Sequence, residues 1–226
     1  MPITEILEQN ALKYGDDIAL VEINPQEMEK RHASWKEYSL IEASSVDSFR
    51  SEMTWKQFDE KANRLANFLL TRRLPRGAKV GILLMNCLEW LPIYFGILKS
   101  GCMAVPLNFR YTPEEIRYCL DLADVDLLLF GPEFTGRIEA IYDHLPRKTT
   151  LLYVGGDCPT FAEPYYSLVA RCSTEAPGIP LTDEDDAAIY FSSGTTGFPK
   201  AIVHPHKSLV HAALVEQNHH HQTKDD

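Results

Sequence analysis

Val80-Gly81-Ile82-Leu83-Leu84-Met85 carries no polar side chain, and this run constrains the fold more than any other stretch of the chain. A strand with one wet face alternates apolar and polar residues, whereas a strand buried on both faces is apolar throughout. Covering both faces calls for helices on either side of a sheet, the arrangement that repeated βα units produce. The flanking sequence supplies those units. Thr54 with Gln57 three residues on is a capping-box pattern, and Phe58, Ala62, Leu65, Ala66 and Leu69 follow at helical spacing. Leu74-Pro75-Arg76-Gly77 closes that helix. Asn86 and Glu89 suggest a second cap, with a helix over 90–98 stopped by Gly101. Thr112-Pro113-Glu114-Glu115 opens a third helix, with proline at its first position and acids in its first turn. Strands are expected over 18–21, 125–130 and 151–154, and a helix over 134–144. The predicted fold class is α/β, a largely parallel sheet flanked by helices.

Near the C-terminus, the apolar run Ala187-Ala188-Ile189-Tyr190-Phe191 feeds Ser192-Ser193-Gly194-Thr195-Thr196-Gly197-Phe198-Pro199-Lys200. Glycines let a backbone approach a ligand closely. Backbone amides and hydroxyls donate to phosphate oxygens, and a lysine adds a compact positive charge. The pattern therefore reads as a phosphate-binding loop rather than a simple turn. It is neither a Walker loop nor a dinucleotide fingerprint, since neither string occurs.

Position for position, this stretch resembles the signature loop of the acyl-adenylate-forming (AMP-dependent synthetase/ligase) superfamily, which includes acyl-CoA synthetases, firefly luciferase and the adenylation domains of peptide synthetases. The family's usual final glycine is replaced by Ala201. Two further segments are similar to family motifs and stand in the family's order: Met53-Thr54-Trp55-Lys56-Gln57-Phe58, and the segment from Gly96 to Asn108 that contains Lys99, Gly101 and Pro106. His206, with Lys207 and Ser208-Leu209, fits the basic segment that follows the loop. The resemblance implies a two-step ligase that uses ATP, Mg2+ and coenzyme A to activate a carboxylic acid, with a fatty acid as the default and an aromatic acid second. By the match, Ser192 would help to hold Mg2+ and the phosphates. Ser193, Thr195 and Thr196 would wrap the β- and γ-phosphates, Gly194 and Gly197 would admit the backbone, and Lys200 would neutralise the departing pyrophosphate. The match also implies that 1–226 is the N-terminal part of the large AMP-binding domain. The adenine, ribose and acyl sites and the C-terminal domain would lie outside it, leaving this chain inactive alone. A noncatalytic phosphate-binding or interaction module on the same fold, and a fragment of an aryl-CoA ligase or peptide-synthetase adenylation domain, remain as alternatives.

Composition narrows the partners. A net charge of -10 disfavours nonspecific binding to nucleic acid or to an anionic membrane. No apolar run approaches the roughly 20 residues of a membrane helix. Met1-Pro2-Ile3-Thr4-Glu5 lacks the regions of a signal peptide, and Cys87, Cys102, Cys119, Cys158 and Cys172 form no close pair, so a cytoplasmic location with reduced thiols is expected. The polar, mixed-charge stretch 25–52 reads as an insertion, and 155–162 and 173–186 as surface connections. Asp183-Glu184-Asp185-Asp186 reads as a solvated charge run. The spacing of His204, His206 and His211 matches no zinc motif.

Overall fold

The computed structural model describes residues 1–23, 50–146, 149–192 and 199–223. Most of the stretch 25–52 lies outside them, but Arg50, Ser51 and Glu52 belong to a strand. In chain order the elements are α1 (Ile3–Lys13), β1 (Ile18–Ile23), β2 (Arg50–Thr54), α2 (Trp55–Thr71), β3 (Lys79–Leu83), α3 (Trp90–Lys99), β4 (Met103–Pro106), α4 (Pro113–Leu122) and β5 (Leu127–Phe130). There follow α5 (Thr135–Ile141), β6 (Thr150–Tyr153), β7 (Glu163–Pro164), α6 (Tyr165–Val169), β8 (Asp186–Ser192), β9 (Lys200–Pro205) and α7 (His206–His220).

Seven strands form the main sheet in the order β7-β6-β5-β3-β4-β8-β9, parallel except for β9, which runs antiparallel to β8. β1 and β2 pair separately as an antiparallel ribbon. Along the parallel strands alternate side chains go to opposite layers. Val80, Ile82, Leu127, Leu129 and Leu152 join the layer containing α2, α3 and α6. Leu83, Val105, Leu128, Phe130 and Leu151 join the layer containing α4 and α5. The continuous apolar run of β3 thus splits between two cores, as burial on both faces requires.

Local signals placed several boundaries correctly. Thr54 Oγ1 accepts from the Gln57 N–H at 3.2 Å and Gln57 Oε1 accepts from the Thr54 N–H at 3.0 Å. Thr112 and Glu115 repeat this reciprocal capping at α4. Other boundaries differ. The helix expected over 134–144 is α5 flanked by 3-10 turns at Pro132–Phe134 and Tyr142–His144. Glu89 precedes α3 but its side chain makes no capping bond; it pairs with Lys61 of α2 instead. The connection 173–186 is more than a surface loop. Asn63, Arg64 and Asn67 on α2 donate to the carbonyls of Ala170, Cys172, Ser173, Thr174 and Glu175, strapping the approach to β8 onto the helical layer.

Candidate functional site

β8 carries the strand half of the site. Ala187, Ala188 and Ile189 are buried between β4 and β9, and exposure rises toward Ser192. Ala104 of β4 pairs in parallel with Ala188, so the Ser192 end of β8 emerges at the same edge as the C-terminal ends of β3, β4 and β5. In open α/β sheets that edge is where ligands bind. Two aromatic residues fix the strand from opposite faces. The Tyr190 and Tyr94 hydroxyls lie 2.8 Å apart, and burial pushes both phenols above their ordinary range. Phe191 packs into the other layer, beside Ile189.

β9 returns antiparallel, with Phe191 opposite Ala201 and Ser192 opposite Lys200. Ser192 and Lys200 are both exposed, while Pro199 just before Lys200 is buried. The ends of β8 and β9 that residues 193–199 connect in sequence thus lie side by side on the sheet's C-terminal edge. Ser193, Gly194, Thr195, Thr196 and Gly197 lie outside the described residues. Ala201 occupies a regular strand position and is not among the residues with positive φ, so replacing the family's glycine there imposes no backbone strain. The pairing brings a hydroxyl and an ammonium to the two ends of a loop rich in further donors. Such a mouth suits an anion with several oxygens.

The other candidate groups have structural partners. Asp183 binds the N-terminal amine at 3.2 Å, Glu184 binds Lys207, and Asp185 binds Arg76 at 2.7 Å and Thr182. The Arg76 guanidinium holds the Asp185 carboxyl down at about 2. Among the described residues no group of three His, Cys, Asp or Glu side chains is placed to hold a metal ion. His206 opens α7 as a buried residue rather than as part of an exposed basic segment, and its Nδ1 has no hydrogen-bond partner among the described residues. Burial lowers its pKa from the ordinary value. All five cysteines are free, and burial raises the thiols of Cys87, Cys102 and Cys119, the last to about 12. Raising a thiol in this way disfavours the thiolate, which is the nucleophilic form. No helix among the described residues is long and apolar enough to cross a membrane.

The family model described as AMP-binding enzyme matches residues 7–226. Over 166 residues the chain is 32% identical to a medium/long-chain-fatty-acid–CoA/3-oxocholest-4-en-26-oate–CoA ligase of Mycobacterium marinum, a match covering 70% of this chain and 30% of the relative. A long-chain-fatty-acid–CoA ligase of Mycobacterium tuberculosis is 32% identical over 162 residues, covering 71% of this chain and 31% of the relative. The matched region thus spans about three tenths of these relatives. Among solved structures, an anthranilate CoA ligase in complex with anthranoyl-AMP superposes with a TM-score of 0.76 at 28% identity, covering 92% of this chain and 35% of that one. A Rhodopseudomonas palustris protein described as a long-chain-fatty-acid CoA ligase shares the fold at TM-score 0.75 and 18% identity, covering 99% of this chain and 49% of its own.

Proposed function

Because this chain belongs to the AMP-binding enzyme family, we propose that it is the N-terminal part of an acyl-CoA synthetase. A carboxylate oxygen attacks the α-phosphorus of ATP and pyrophosphate leaves, giving an acyl-adenylate. The thiol of coenzyme A then attacks the acyl carbon, loses its proton, and AMP departs. The observation that carries this reading is the strand pairing of Ser192 with Lys200 across the mouth of a Ser/Thr/Gly connection at the sheet's C-terminal edge.

In this reading Ser192, Ser193, Gly194, Thr195, Thr196 and Gly197 enclose the polyphosphate, and Lys200 offsets the charge that accumulates on pyrophosphate as it leaves. Stabilising charge that develops in the transition state is the main demand of phosphoryl-group chemistry. Mg2+ would be held by the Ser192 hydroxyl together with phosphate oxygens, and would neutralise part of their charge. An exposed hydroxyl is the hard oxygen ligand that this ion accepts. A fatty acid is the favoured substrate, supported by the names of the mycobacterial relatives. An aromatic acid is the second reading, favoured by the likeness to an anthranilate CoA ligase.

The test uses the complete protein that carries this chain, with ATP, coenzyme A and a panel of fatty and aromatic acids. Pyrophosphate release and acyl-CoA formation with at least one acid are expected, and no turnover from residues 1–226 alone. Absence of pyrophosphate release with every acid would favour the noncatalytic module. Turnover by the isolated chain would refute its dependence on further polypeptide.

A further inference from the structure

We infer that Arg137 is a positioning residue for the nucleotide site, acting through the loop that joins β4 to α4. The inference rests on the function proposed above. β4 and β8 are parallel neighbours joined at Ala104 and Ala188, and Asn108 stands two residues past the C-terminal end of β4, on the sheet edge where β8 ends at Ser192. Asn108 is exposed, and it follows β4 at the edge from which the Ser192–Lys200 mouth opens. The loop 107–112 is therefore a rim of the proposed site.

That rim is held at nearly every residue. The Leu107 N–H donates to the Ile82 carbonyl at 2.9 Å, and the Tyr111 N–H to the Asn108 carbonyl at 3.0 Å. Asn108 Oδ1 accepts from the Arg110 N–H at 2.9 Å, which fixes the Asn108 side chain in a local turn. From outside the loop, Arg137 Nη1 on α5 donates to the Phe109 carbonyl at 2.6 Å and to the Tyr111 carbonyl at 3.1 Å. The guanidinium also lies over the Phe134 ring, 5.4 Å from its centre. Phe109 and Tyr111 pack against the same apolar layer as Phe191, the neighbour of Ser192. A cation spending two hydrogen bonds on one rim loop sets that loop's height relative to the phosphate mouth. A misplacement of the order of 1 Å in such a wall weakens binding of a positioned substrate.

The molecule contains its own control. Arg64 on α2 also uses Nη1 to bond two carbonyls, those of Ala170 and Cys172, each at 2.7 Å. Its target follows α6, on the approach to the N-terminal end of β8. Loss of either clamp costs hydrogen bonds, but only the Arg137 clamp borders the proposed site.

The experiment compares Arg137→Met, Arg137→Lys and Arg64→Met in the complete protein, measuring ATP-dependent pyrophosphate release and thermal midpoints. Arg137→Met is expected to raise KM for ATP about tenfold, as loss of one or two hydrogen bonds to the rim allows, with a smaller change in kcat. Arg137→Lys should recover part of the loss, and Arg64→Met should lower the midpoint with KM unchanged. The inference is overturned if KM stays at its wild-type value in Arg137→Met, or rises equally in Arg64→Met. Failure of both Arg137 variants to fold would assign the residue a purely structural role and likewise overturn it. If the wild-type protein releases no pyrophosphate with any acid, the proposed function itself fails and takes this inference with it; a wild-type enzyme insensitive at Arg137 removes the inference alone.

Discussion

Lys99 lies in a segment that resembles a family motif, yet its surroundings give it a folding role, and one substitution separates the two. Its side chain is 1% exposed, with Nζ 2.6 Å from Asp59 Oδ1 and 3.0 Å from Glu8 Oε1; Asp59 is 17% exposed and Glu8 42%. Asn63 Oδ1 accepts from the same ammonium at 2.7 Å. The cation thus ties α1, α2 and α3 at one point. Lys99→Met keeps the apolar stem and removes the charge, so Asp59 Oδ1 and Asn63 Oδ1 lose the ammonium; the Asp59 carboxylate keeps the Asn63 Nδ2 donor on Oδ2 at 2.9 Å but loses its cation. Removing one partner of a buried pair costs about 3–5 kcal/mol. The half-exposed Glu8 adds less than about 1 kcal/mol, so Glu8→Ala should be nearly silent. Against a typical total of about 5–15 kcal/mol, the loss in Lys99→Met is large. Urea unfolding followed by circular dichroism reads it directly, as a lower midpoint at unchanged slope. Combining Lys99→Met with Asp59→Leu removes the stranded charge and should recover at least half of the loss, since apolar replacement of a whole buried pair is often neutral. A cost below about 1 kcal/mol for Lys99→Met, or a double variant no more stable than the single, would refute the reasoning. A folded Lys99→Met enzyme that no longer adenylates would move Lys99 from the scaffold to the site.

Two further substitutions probe the mouth and its support. Lys200→Ala in the complete protein should slow adenylation by about 100-fold or more, the scale of losing one transition-state charge contact, with the thermal midpoint unchanged because Lys200 is exposed; an unchanged rate of pyrophosphate release would remove Lys200 from the chemistry. His206 is buried with a lowered pKa, so the unfolded chain takes up its proton at a higher pH than the folded one. Stability should therefore be full above the ordinary value of 6.5 and fall as pH drops below it, until the folded state also protonates. His206→Phe should flatten that part of the profile; an identical acid-side decline in wild type and variant would count against burial of a neutral imidazole.

The parts of the fold that were legible in the sequence are those set by local chemistry. The capping boxes at Thr54 and Thr112 satisfy orphan amides with side chains three residues away, and any reader of the sequence can pair them. The β3 run is apolar because two layers cover it, and apolarity is visible without coordinates. What stayed hidden depends on distant partners. β9, Lys200–Pro205, carries only Ile202 and Val203 as strand formers among its six residues, and pairing with β8 defines it. α7, His206–His220, has no apolar stripe, and most of its residues are exposed. α1, Ile3–Lys13, begins after Pro2 without a side-chain cap. The strap built by Asn63, Arg64 and Asn67 has a helical-spacing signal, three donors on one helix, but its carbonyl targets lie more than a hundred residues away. At the site, the sequence pointed to Ser192 and Lys200, but their direct pairing across two strands required the antiparallel return.

The three motif-like segments differ in what holds them, and that difference bears on the choice between an enzyme and a noncatalytic relative. Thr54–Gln57 is a capping box, useful to any helix. In the second segment, a Cβ on Gly96 would meet the Ala62 carbonyl oxygen at 2.8 Å, so glycine is what lets α3 lie against α2. Gly101, at φ +77°, ends α3 with its N–H on the Leu98 carbonyl and the Cys102 N–H on that of Ile97, a Schellman closure that only glycine adopts without strain. Lys99 between them is the hub described above. Thr54, Gln57, Gly96, Lys99 and Gly101 thus serve folding, so a chain that had lost its chemistry would still keep them. In the third segment the described residues Ser192 and Lys200 are exposed at the ends of two paired strands. Evidence for catalysis must therefore come from that stretch and its rim. The pair Lys99→Met and Lys200→Ala expresses the distinction: the first should cost stability and spare the chemistry of whatever remains folded, the second should do the reverse.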